Sequence, residues 1–356
     1  MTGSMEEVRQ IGYTILQEQR LPEHVTLSIL IPTYKRGRLL EESLYSILEQ
    51  TRLVPEIEVI VLSNDPDDDL QELKNKFRAY NFTIIRNDEN LGMCGNINKC
   101  ALVGSGEYLA YLHDDDLVTK EYVEKMLRVI KKRPELDCII PVRYVLNGNS
   151  KWGEAMQKKI RFKHALSSCM LLKYVNRSKF YNFDIEDIYK TGRNCFNAPT
   201  CGTVFKRKSL LDAGGFDSNW IWAFDLSFYS EFCKKYKVAL YKEPLGVYRM
   251  VESASNEDKV QLEFFKAQKT VMDRNKDLCL VNKYYYEYLH LFYMGLSHGA
   301  RKLIDRTFGE IMNKWSPLKY FILRVRTQLY YYSSGIEAER YGMGQWYKEK
   351  EEISKS

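Results

Sequence analysis

The chain has little of what marks several common protein classes. Its eight cysteines (Cys94, Cys100, Cys138, Cys169, Cys195, Cys201, Cys233 and Cys279) form no CxxC pair, which excludes the usual zinc spacing. No signal peptide precedes them, so reduced thiols in a cytosol are expected. No apolar run approaches the roughly 20 residues that span a bilayer. Internal repeats and low-complexity tracts are absent. Lysine and arginine never gather into a dense block, so the net charge of +6 points to phosphate ligands or an anionic membrane surface rather than nucleic acid.

What is present is ordinary in bulk. At 356 residues there is room for one large domain and a smaller one. A hydrophobic share of 45% with 28% charged residues suits a soluble globular chain. The 26 tyrosines are consistent with binding sugar-like surfaces and equally with amphipathic packing. The opening Met1-Thr2-Gly3-Ser4-Met5 is consistent with an added remnant.

Along the chain, residues 6–24 read as a short charged helix. Leu27–Pro32 (LSILIP) is a brief apolar run closed by proline, as a buried strand requires. Leu39–Gln50 follows with Leu40, Leu44, Ile47 and Leu48 on one helical face. Further strands are expected at Ile57–Leu62, Phe82–Arg86 and Tyr108–Leu112, with helices at Leu70–Tyr80 and Asn96–Val103. Strands alternating with helices at this spacing predict a parallel α/β sheet wound in the Rossmann manner, with ligands at the carboxyl ends of the strands. From about 138 to 255 the pattern is mixed, with strands near Cys138–Val142, Gly202–Lys206 and Val238–Tyr241 and a helix over Leu226–Tyr236. From about 257 onward it reads as helix.

The unusual polar residues fall at those strand ends. His113-Asp114-Asp115-Asp116 directly follows YLAYL. Three adjacent carboxylates repel one another, and a divalent cation with a taste for hard oxygen would compensate them. As a lone feature the run reads equally as a solvated turn capping a helix from about Lys120. Asp67-Asp68-Asp69 is also a triplet, but it follows Pro66 and opens a helix, where acids favour the dipole, so it reads as structural.

The order of the sites says more than any one of them. Pro32-Thr33-Tyr34-Lys35-Arg36 ends the first strand, Ser63-Asn64-Asp65 the second, Asn90-Leu91-Gly92 with Asn96 follows the third, and the Asp run ends the fourth. Together they resemble the family 2 glycosyltransferases of the GT-A fold across roughly residues 26–255. PTYKR resembles that family's opening motif. Asn64-Asp65 matches its paired acids with the first changed to Asn. ENLGMCGNIN resembles its NLG…N segment, and LHDDD its DxD-type metal motif. Each motif alone is weak, and four in register are specific.

The resemblance implies an inverting, metal-dependent enzyme fed by a nucleoside-diphosphate sugar, commonly of UDP. Pro32, Thr33 and Tyr34 are expected around the base and ribose, with Asp65 accepting a hydrogen bond from the base. Asn96 is expected beside the nucleotide and Arg36 near a phosphate. Asp115 would ligate Mn²⁺ or Mg²⁺ directly, Asp114 would make a ribose or water-mediated contact, and Asp116 would support the metal. His113 stands where the family writes its first Asp, as a ligand or as a packed histidine.

In the second half, Asn197–Thr203 and Gly214-Gly215-Phe216-Asp217 resemble the stretch before the family's catalytic acid. Asp225 is the expected general base, although Phe224 departs from the usual Glu or Ala before it and Asp217 lies eight residues upstream. An N-cap role would also suit Asp225. Trp220 and Trp222 suit a sugar-stacking platform or plain packing. Arg249 resembles a position near the donor diphosphate, a surface ion pair being the alternative.

Residues beyond about 255 lie outside the resemblance. Between Glu310 and Glu337 there is no acid, while Lys314, Lys319, Arg324 and Arg326 interleave with Trp315, Tyr320, Phe321 and Tyr330–Tyr332. Such a segment suits peripheral membrane contact through residues 314–332 or docking on protein. The expected organisation is an extension (1–25), a GT-A domain (26–255) with a mixed Rossmann-like sheet flanked by helices, and a helical domain (256–356). The expected activity is sugar transfer to a glycan or lipid-linked acceptor in surface polysaccharide or glycolipid synthesis, in the cytoplasm or at the inner face of its membrane. A sugar-phosphate nucleotidyltransferase is a rival reading, but it would want a Gly-rich loop where PTYKRGRLL has one glycine. A non-catalytic sugar-binding or scaffold protein is another, against which the presence of Asp115 and Asp225 counts.

Overall fold

A computed structural model describes residues 3–51, 54–146, 185–187, 200–220, 224–249, 257–274 and 298–308. The chain opens with α1 (Met5–Gln10) and β1 (Tyr13–Gln17), then β2 (Leu27–Thr33), α2 (Gly37–Thr51), β3 (Ile57–Ser63), α3 (Gln71–Lys76) and β4 (Thr83–Asn87). It continues through α4 (Gly92–Val103), β5 (Tyr108–Tyr111), β6 (Leu117–Val118), α5 (Tyr122–Lys132) and β7 (Cys138–Leu146). The second half holds β8 (Ile185–Asp187), β9 (Val204–Lys206), α6 (Arg207–Asp212), α7 (Phe224–Lys235), β10 (Val238–Arg249), α8 (Asp258–Arg274) and α9 (His298–Phe308).

Strands β2 and β3 are buried at every position, as continuous apolar runs require when helices cover both faces of a sheet. Leu40, Leu44, Ile47 and Leu48 of α2 pack on one face with Ile29, Ile31, Val59 and Val61. Ile97, Cys100 and Ala101 of α4 pack on the other with Leu30, Ile60 and Leu62. The four strands run parallel in the order β4-β3-β2-β5. Their carboxyl ends therefore lie along one edge.

Beyond β5 the direction changes. Strand β9 is antiparallel to both β5 and β7, β10 runs parallel to β7, and β6 and β8 pair antiparallel with β10. The sheet is thus mixed rather than wholly parallel, and β10 extends to Arg249, well past the short strand expected. An aromatic cluster fastens this half to the first. Phe205 packs against Tyr111 of β5, and Phe216 lies 4.5 Å from Phe228 between ring centroids. Helix α8 packs on α7 through Leu226, Ala267 and Val271, with Trp220 against them, and α9 packs on α8.

Two expectations are corrected at the start of the chain. The helix over 6–24 is only α1, and Tyr13–Gln17 instead forms an edge strand antiparallel to β4. Aromatic and β-branched residues suit that edge, while the Ser4–Glu7 capping box serves α1 alone. The opening residues are also structural: Met5 is buried, and Gly3 O accepts from Asn98 Nδ2 at 2.7 Å. Lys99 of α4 is buried too, donating to Val8 O at 3.0 Å and to Ile11 O. Burial pushes its pKa down, against the raising charge of Asp88. The helix expected over 70–80 shortens to α3.

Among the described residues Cys94, Cys100, Cys138, Cys201 and Cys233 form no disulfide. Among the described residues no helix is long and apolar enough to cross a membrane.

Candidate active site

At the end of β2, Thr33 is buried and its carbonyl accepts from Asn64 N–H at 2.9 Å, locking the exits of β2 and β3 together. Tyr34 next to it is 44% exposed. Lys35 then takes a left-handed backbone with φ of 57°, a conformation that costs a non-glycine residue roughly 1–2 kcal/mol. The turn it makes sends two neighbouring cations to different carboxylates. Lys35 Nζ lies 3.4 Å from Asp65 at the β3 exit. Arg36 Nε lies 3.6 Å from Asp114 Oδ1, and its Nη2 lies 3.5 Å from Asp115 Oδ2.

The four residues after β5 have four environments. His113 Nε2 hydrogen-bonds with the Thr200 hydroxyl, and burial pushes its pKa down, against the raising charge of Asp115. The ring is thus engaged by a protein hydroxyl. Asp114 accepts from Tyr34 N–H at 3.3 Å across eighty residues of sequence. Burial pushes its carboxyl up to about 6; the Thr33 hydroxyl opposes this, the Asp115 charge adds to it, and Arg36 and the Tyr34 N–H oppose it again. Asp115 is the most exposed of the three acids. Asp116 is 1% exposed, accepts from Arg249 N–H at 2.9 Å, and its carbonyl takes the Ser43 hydroxyl at 2.6 Å.

Asn96, expected beside the nucleotide, sits beneath the strand ends at 3% exposure. Its carbonyl oxygen accepts from Asn87, and its amide donates to Leu62 O at 3.3 Å and to Thr33 O at 3.5 Å. The side chain is a brace under the strand ends, because its hydrogen-bonding groups are taken by protein. Asn64 is a second brace. It donates to Asn90 and to Gly92 O, and accepts from Asn87 and from Leu91 N–H. Those four bonds explain the amide in place of the usual acid, since a carboxylate would confront two acceptors.

Arg249 is 6% exposed and its Nη1 lies 2.7 Å from Glu42 of α2, so it is no surface ion pair. Among the described residues its Nε and Nη2 have no partner, and a buried donor left unpaired costs about 1–3 kcal/mol. Sequence reasoning missed Glu42 and Ser43. Ser43 could have been noticed as a polar residue on the buried stripe of Leu40, Leu44 and Ile47.

Among the described residues no three His, Cys, Asp or Glu side chains gather into a metal cage. Asp114 and Asp115 still fit Mg²⁺ or Mn²⁺. Such ions commonly take one or two carboxylates and complete their shell with water and substrate phosphate. Asp116 suits a supporting position, since one of its oxygens faces the Arg249 N–H.

In the second half, Asp225 stands in the first turn of α7 and accepts from Leu226 N–H at 2.7 Å. Asp217 closes a local turn, accepting from both the backbone and the side chain of Asn219. Trp220 is partly buried under Arg274, whose guanidinium carbon lies 5.5 Å from its ring, so it packs. Trp222, Asn197–Pro199 and the basic aromatic stretch 314–332 lie outside the described residues.

A family model described as Glycosyl transferase family 2 matches residues 28–212, from β2 through α6. Abequosyltransferase RfbV of Salmonella typhimurium is 36% identical over 98 residues, covering 27% of this chain and 29% of the relative. An uncharacterized glycosyltransferase of Haemophilus influenzae is 35% identical over 115 residues, 32% of this chain and 37% of its own. The chain therefore spans well under half the length of these two relatives. An uncharacterized protein of Mycobacterium tuberculosis is matched over 72% of this chain and 76% of its own, at 25% identity. Among solved structures, S. aureus TarS 1–349 in complex with UDP-GlcNAc is 15% identical with a TM-score of 0.51, covering 88% of this chain and 89% of that one. Mannosyltransferase PcManGT of Pyrobaculum calidifontis, in complex with GDP-Man and Mn²⁺, is 14% identical with a TM-score of 0.51, covering 94% and 90%. These two likenesses show the shared fold, GT-A.

Proposed function

The chain belongs to glycosyl transferase family 2, and on that premise we propose that it moves a sugar from a UDP-sugar to an acceptor hydroxyl with inversion. The acceptor in this reading is a glycan or lipid-linked molecule of surface polysaccharide or glycolipid synthesis. The observation that carries the proposal is convergence: Tyr34, Lys35 and Arg36 from one strand exit meet Asp65, Asp114 and Asp115 from two others.

Tyr34 offers an exposed ring for the base to stack on, and Asp65 a carboxylate able to accept an imide N–H. Pro32 and Thr33 fix the backbone that places both. Arg36 and Arg249 bind the diphosphate, for which a guanidinium is a strong charge-assisted partner. Asp115, aided by Asp114 and backed by Asp116, holds Mn²⁺ or Mg²⁺, which when bound offsets negative charge on the leaving diphosphate. Asp225 takes the proton from the attacking hydroxyl.

Residues 26–255 form the transferase unit in this reading and 256–356 a helical unit. The contacts of Gly3, Met5 and Lys99 support counting residues 1–25 with the transferase. The enzyme acts in the cytoplasm, held at the inner membrane face through residues 314–332.

Neighbours of the same fold bind UDP-GlcNAc in one case and GDP-Man in another, so the donor is best tested by hydrolysis of UDP-, GDP- and dTDP-sugars with Mn²⁺. Turnover of a UDP-sugar is expected. Turnover of none of the three contradicts the proposal.

A further inference from the structure

We infer that Arg36 is a built-in counter-ion that competes with the divalent cation for Asp114 and Asp115, so that the cation binds tightly only together with the donor diphosphate. The inference rests on the donor-site reading above and adds an order of assembly to it.

The geometry is that of one guanidinium spanning two acids, Nε toward Asp114 and Nη2 toward Asp115. These are the two carboxylates that fit the cation. Without a counter-ion, two adjacent acids at a strand end would repel each other and bind a free cation readily. With Arg36 between them, much of their charge is already compensated. The arginine is always protonated, so the compensation holds at every physiological pH.

The contact is also suited to being given up. The Arg36 side chain is about one-third exposed, and at 3.5–3.6 Å neither ion pair is tight; exposed pairs of this kind are worth little. A diphosphate offers the same guanidinium shorter, charge-assisted bonds in its planar fork. Once Arg36 turns to phosphate, Asp115 and Asp114 regain their charge for the cation. By linkage, cation and diphosphate then each raise the affinity for the other by the same factor. Lys35 does not take over the acids, because its ammonium lies against Asp65.

The test is Mn²⁺ titration of the full chain, followed by the paramagnetic resonance of free Mn²⁺, with and without saturating UDP. Wild type is compared with Arg36→Gln and Arg36→Lys. Without UDP, Arg36→Gln should bind Mn²⁺ roughly tenfold tighter than wild type, the combined worth of two partly exposed ion pairs. UDP should then tighten Mn²⁺ binding less in that variant than in wild type. Arg36→Lys keeps a charge, but its compact ammonium cannot span both acids as the fork does, so a gain of about threefold is expected. It also covers the case in which Arg36→Gln does not fold.

Equal Mn²⁺ affinity in all three proteins without UDP, with the same gain on adding it, would overturn the counter-ion role and leave the metal assignment standing. No Mn²⁺ binding by any of them, even with UDP, would remove the metal assignment and this inference with it.

Discussion

Two runs of three aspartates stand some fifty residues apart in this chain, and the fold treats them differently. Asp67-Asp68-Asp69 looks inward to its own turn. Asp68 accepts from Leu70 N–H and Asp69 from Gln71 N–H, each two residues ahead. Asp114-Asp115-Asp116 reaches across the molecule, to Tyr34 and Arg36 at the β2 exit and to Arg249 at the end of β10. The first run satisfies helix and turn groups that any short loop leaves open. The second is assembled by the sheet from segments up to 133 residues apart. Acidity is common to both, and what separates them is how far away the partners lie.

The comparison can be broken most severely in the second half, where Asp217 closes its own turn and Asp225 is assigned the chemistry. Asp225→Asn should lower transfer by about 10²–10⁴-fold, the usual worth of a general base. Asn still serves at a helix start, and UDP affinity should stay near wild type. Asp217→Asn should leave transfer nearly intact. Reversal of those two results in a steady-state assay would make Asp217, and not Asp225, the base.

A smaller effect sharpens the contrast through stability. Asp116→Ala strands the buried Arg249 N–H and should cost about 1–3 kcal/mol in denaturant unfolding. Asp116→Asn keeps an acceptor and should cost less. Equal, negligible costs would mean that this acid does not tie the strand ends together. The smallest effect belongs to the other run. Asp69→Ala removes one partly solvated turn bond and should cost about 0.5–1 kcal/mol, with UDP affinity unchanged. A clear loss of UDP binding in Asp69→Ala would place the wrong triplet in the site.

How far the sequence reveals all this follows the same line. Strands β2, β3, β4 and β5 are legible because buried parallel strands read as unbroken apolar runs. The motifs at their ends are legible because each strand exit leads with polar residues. Strand β1 is not, since an edge strand of five residues beside a charged helix carries no clean alternation. The mixed second half is legible only in part, because the pairing of β9 with β5 and β7 depends on a chain reversal that no local pattern encodes. At the site, Asp114 and Asp115 face Arg36, whereas Asn96 braces the strand ends. An asparagine that binds ligand and one that binds backbone look alike until its partners are known. Glu42 had no signal of its own; it matters only because β10 returns Arg249 to it.

The most direct test of the central claim is calorimetry of UDP binding with and without Mn²⁺, in wild type and in Asp115→Ala. A donor site built on the second triplet predicts that Mn²⁺ tightens UDP binding in wild type and that Asp115→Ala abolishes the gain. UDP binding with the same Mn²⁺ dependence in both proteins would contradict it.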